Sequence, residues 1–77
     1  MLYSIYEGPK ASIEDGSFVF NCEPEDLDAA WKALFDNVHL DNEQDFMDFA
    51  SPDGSDVEAM LNSMNEMGFI GSWEVDD

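Results

Sequence analysis

The 77-residue chain predicts an α+β fold: a small antiparallel sheet of about three strands with two to three helices on one face, in the order β-β-α-α-α-β. Three observations carry that prediction. Two short runs rich in Tyr, Ile, Phe and Val open the chain, at residues 1–7 and 17–22. Apolar residues then recur at helical spacing from Leu27 to Val38. An alternating run at 69–75 closes it. The length suits one domain, residues 1–77, and no repeat, linker or low-complexity block divides it.

The elements follow in order. Gly8-Pro9 breaks the first strand, and Asp15-Gly16 is a strong turn signal before the second. Antiparallel pairing puts Phe18, Phe20 and Cys22 on one face. Pro24 suits the first turn of a helix. Leu27, Ala30, Trp31, Leu34, Phe35 and Val38 form its apolar stripe, and Trp31 stands out as the bulkiest core candidate. Asp41 with Gln44 predicts the start of a second helix, whose apolar side is Phe46, Phe49 and Ala50. Ser55 with Glu58 reads as a capping box opening a third, with a stripe of Val57, Met60, Leu61 and Met64. Gly68 suits its C-terminal cap. In the closing strand Phe69, Gly71, Trp73 and Val75 share a face.

Nineteen acids against two lysines give a net charge of -17, where about 2–8 charges suffice for solubility. Six Phe, two Trp and two Tyr argue for a folded core rather than an acidic tail. The chemistry of sites is thin. Cys22 is the lone cysteine, so no internal disulfide forms, and a reduced thiol suits the cytoplasm. Cys22 with His39 would be a nucleophile–base pair only in principle, because neighbouring carboxylates disfavour the thiolate. His39 reads as a capping or surface residue. Asp41, Glu43 and Asp45 begin like a calcium loop, but Phe46 stands where Gly is needed and Pro52 where the closing Glu belongs. Zinc lacks ligands, and two lysines cannot grip phosphates. The expectations are no enzyme, no cofactor, no metal, no direct nucleic-acid contact, no signal peptide and no membrane span.

The charge itself is the functional signal. A compact chain of this length is about 30 Å across. Duplex DNA carries about 18 charges over that distance. Carboxylates spaced along helices can stand in for phosphates, and Asp28, Asp36, Asp41, Glu43, Asp45 and Asp48 are the candidate row. Size, acidity along the whole chain and mixed strand–helix order resemble the small DNA mimics of phages and mobile elements, the anti-CRISPR and antirestriction proteins. The resemblance is compositional and carries over no residue. It implies a basic DNA-binding partner, such as the PAM-reading subunit of a CRISPR surveillance complex in the bacterial host, bound by a monomer. The alternative is an acidic immunity protein or antitoxin covering a basic nuclease, which an exposed Tyr3, Tyr6 or Trp73 would favour as a hot spot. Adaptation to high salt is a further reading of the same composition.

Overall fold

The computed structural model describes residues 1–40 and 55–76. It is α+β, as the patterning predicts. Strand β1 (Leu2–Glu7) is central in a three-stranded antiparallel sheet, flanked by β3 (Ser17–Asn21) and β5 (Ile70–Asp76). Helices α1 (Leu27–Asn37) and α2 (Val57–Met67) pack on one face. The second predicted helix, with Asp41, Glu43, Asp45 and Asp48, lies outside the described residues. The radius of gyration is 11.0 Å and the longest extent 31 Å, close to the size the chain length implies.

Strand register follows the hydrophobic pattern. Tyr3 lies between Phe20 and Val75, and Ile5 between Phe18 and Trp73, so the inward residues of all three strands share one face. Tyr3, Phe18 and Phe20 form a ladder of stacked rings with centroids 5.4 and 5.8 Å apart. Against this face pack Ala30 and Leu34 of α1 and Val57, Met60, Leu61 and Met64 of α2. Tyr3 is fully buried, which removes it from the surface hot-spot candidates.

Four local readings are corrected. Pro24 does not open α1: it occupies the preceding turn, and Asp26 caps the helix, its Oδ1 accepting the Ala29 N–H at 3.1 Å. Asp56, not Ser55, caps α2, accepting the Ala59 N–H at 2.7 Å. In both cases a carboxylate nearer the helix wins because it reaches a third-position amide and meets the positive end of the dipole. Helix α1 also stops at Asn37. Val38 is buried, but in strand β4 (Val38–Leu40), which pairs antiparallel with β2 (Ala11–Ile13). This two-stranded ribbon was not expected. Its β2 half sits in a segment that reads as loop, and its β4 half continues the helical spacing. Finally, Trp31 is only half-buried, stacked on Phe35 with centroids 5.2 Å apart.

The turn between β2 and β3 bears out the Asp15-Gly16 signal: both residues take positive φ, 63° and 81°. At the same end of the sheet, on the other side of β1, β1 and β5 come closer than a side chain allows. A Cβ on Gly71 would lie 2.5 Å from the Glu7 carbonyl oxygen, where the register shifts between Ile5 and Glu7. Gly71→Ala is therefore expected to push the strands apart and cost about 1–3 kcal/mol, read as a lower chemical-denaturation midpoint. An unchanged midpoint would show that the crossing relaxes freely.

Candidate functional site: an acidic pole

The site is built by chain reversal. Strand β3 ends at Asn21, and Glu23, Pro24, Glu25 and Asp26 turn the chain into α1. The Val57 N–H at the start of α2 donates to the Pro24 carbonyl at 2.9 Å, which brings both helix N-termini to the same end of the molecule. The open end of the sheet is there too: Leu2 faces Asn21 on one side and Asp76 on the other. Seven acids thus lie toward one pole: Glu23, Glu25, Asp26, Asp28, Asp56, Glu58 and Asp76.

The opposing positive charge is small. The Met1 ammonium donates to Asn21 Oδ1 at 3.0 Å and to the Cys22 carbonyl at 3.2 Å. Each helix N-terminus offers about half a unit of positive charge. About five negative charges remain after these offsets, the equivalent of about 8 Å of duplex, or two to three base pairs. Neither lysine relieves the pole. Lys10 lies at the far end, its N–H bonded to the Gly68 carbonyl at 2.9 Å, and Lys32 is on the exposed middle of α1.

Carboxylates here have two jobs. Asp26 and Asp56 cap helices, and Glu7, away from the pole, accepts the Ile13 N–H at 2.9 Å. Glu23, Glu25, Asp28 and Glu58 are exposed and carry no such backbone duty among the described residues. Of the candidate row, Asp28 belongs to the pole and Asp36 does not. Both are exposed on α1, but eight residues apart, about 12 Å along the axis, with Lys32 between them. The structure therefore does not bring these two together. Patterning along one helix missed Glu23, Glu25, Asp56 and Glu58, whose grouping depends on how the two helices start. The available signal was the density of acids just before each apolar stripe.

Comparison with known protein families, curated proteins and solved structures finds no match to this chain. The geometry of the pole is thus the ground for any functional reading.

Among the described residues no group of three His, Cys, Asp or Glu side chains is arranged to hold a metal ion. No described helix is long and apolar enough to cross a membrane. His39 is exposed in β4 opposite Ser12, and its carbonyl accepts the Ser12 hydroxyl at 3.4 Å. It lies at the other end of α1 from Cys22, so the two form no pair.

Cys22 sits half-buried beneath the pole. Burial pushes its thiol above the ordinary value, and Asp26 and Glu23 push the same way against the Met1 ammonium. A raised thiol pKa means less thiolate at a given pH. Alkylation by iodoacetamide at pH 8 is expected to be slower in the folded protein than in urea, and to accelerate with pH. Equal rates in both states would show that Cys22 is freely exposed. The linked stability is intact below the unfolded thiol pKa and is lost as pH rises through the folded one.

Proposed function

We propose that this protein is a DNA mimic, a non-catalytic inhibitor that occupies the duplex-gripping, PAM-reading surface of a CRISPR surveillance complex and so blocks target binding. The acidic pole is the observation that supports this reading. It presents about the charge of a two- to three-base-pair tract at one end of the fold, the scale at which such a subunit reads DNA before guide pairing begins. Arginine and lysine side chains arranged for phosphates would meet carboxylates instead, with Arg able to bind them in bidentate fashion. A net charge of -17 would also speed encounter with a basic target.

Capture from a bacterial lysate holding such a complex, washed at rising salt, tests the reading. The expected result is a DNA-binding complex that salt releases and duplex DNA displaces. Capture of a small toxin that resists both would replace it with the immunity reading.

That second reading has its own support. The outer sheet face exposes Leu2 (46%), Tyr6 (39%) and Val19 (61%), and a tightly packed inhibitor needs such apolar or aromatic anchors. Trp73 offers less, because it is half-buried and its indole N–H is bound to Asn62 Oδ1 at 3.2 Å.

A further inference from the structure

The two edges of the sheet are unlike. β5 carries devices that discourage pairing: the exposed acids Glu74 and Asp76, and the register shift opposite Glu7. β3 carries none within its length. Its sequence, Ser-Phe-Val-Phe-Asn, has no charge and no proline, and it pairs with β1 over five consecutive residues without a bulge. Among the described residues no strand lies on its outer side. The stacked rings of Tyr3, Phe18 and Phe20 tie it to the core, and Val19 stands exposed at its centre. Natural edges of this kind are normally blunted, and one left open is a template for another strand.

Charge says what would fill it. The strand is about 13 Å long and has acids at both ends. Glu14 and Asp15 precede it, and Glu23 and Glu25 follow it, all exposed. A second copy paired antiparallel would set these acids against each other. We propose that β3 accepts an extended segment of a basic partner protein by strand addition. The segment would have about five uncharged β-forming residues with Lys or Arg at each end. Main-chain bonds to β3 would supply affinity, and the flanking acids register and selectivity. This contact lies beside the acidic pole and does not depend on the partner being a DNA-binding complex.

The test uses the intact protein and three synthetic peptides. The probe has alternating Thr and Val over five residues with two lysines at each end. One control places proline at its centre, and the other replaces the lysines with glutamates. Amide hydrogen exchange along Ser17–Asn21 is the readout. Alternate amides of β3 point outward and should exchange quickly in the free protein. With the lysine peptide at ten times its Kd, their exchange should slow about tenfold. The proline and glutamate peptides should leave it unchanged. Equal protection by the proline peptide would mean attraction by charge alone and would overturn the proposal. So would protection confined to the pole, or no protection by the lysine peptide at millimolar concentration. Protection that grows with protein concentration alone would assign the edge to a second copy and also overturn it.

Discussion

Leu34→Ala is expected to unfold a large share of the molecules at 37 °C, whereas Trp31→Ala should leave most of them folded. Leu34 is completely buried between α1 and the sheet, beside Ala30. Truncating a buried leucine costs about 2–5 kcal/mol through lost burial and the cavity left behind. A domain of this length has a total stability of about 4–12 kcal/mol. The charge lowers that margin further, because a net -17 repels itself in the compact state. For a domain this small, each kcal/mol moves Tm by about 4–8 °C, so a fall of at least about 8 °C should appear by circular dichroism. Trp31 is larger, but it is half-buried and leans on Phe35, itself 37% exposed. Its truncation should cost about half of the 3–5 kcal/mol typical of a core aromatic. A larger loss for Trp31→Ala than for Leu34→Ala would show that the centre of the core lies on the aromatic side of the helix.

Where the charge sits should matter more than how much there is. Glu23→Gln, Glu25→Gln, Asp28→Asn and Glu58→Gln together remove four charges from the pole and spare the capping carboxylates Asp26 and Asp56. A matched variant removes four from elsewhere: Glu14, Asp15, Asp36 and Glu66. Both carry a net charge of about -13, so long-range steering is alike for the two. If the pole docks on a phosphate-gripping surface, the first variant should lose about 100-fold in affinity, at well under 1 kcal/mol per contact. Its salt dependence should flatten. The second should lose only a few-fold. Both should melt higher than the parent at low salt, because self-repulsion falls in each. Equal loss in the two variants would mean that the partner senses net charge or the acids Glu14 and Asp15 that flank β3, and the pole would cease to be the contact.

Much of this was legible from residues in a line. The alternation in β1, β3 and β5 placed Phe18, Phe20 and Trp73 on the core side, where they pack, but β5 starts at Ile70 rather than Phe69, a register shift brings Ile70 into the core, and Val75 stays 37% exposed at the sheet end. The stripe Val57, Met60, Leu61 and Met64 is buried as its spacing implied, and Gly68 ends α2 in the left-handed region at φ 85°. Where the linear reading slipped, a neighbour one or two positions away competed with it. Ser55 and Asp56 can both cap, and the carboxylate takes the position. Val38 suits both a helical stripe and a strand, and pairing with Ile13 makes it a strand. Trp31 and Leu34 both lie on the apolar side of α1, and only the placement of the sheet decides which of them is central.

The sequence by itself determined the fold class, the faces of its strands and helices, and a surplus of negative charge too large for solubility alone. All of these depend on composition or on contacts within a few residues, which periodicity records. The tertiary structure alone decided which acids act together. Glu23 and Glu58 are 35 positions apart, yet they meet at one pole because the Pro24 carbonyl accepts the Val57 amide and both helices start there. It also decided which sheet edge is left uncharged. Strand order is set by packing over the whole chain, and the hydrophobic pattern of one strand carries no record of which neighbour it will have.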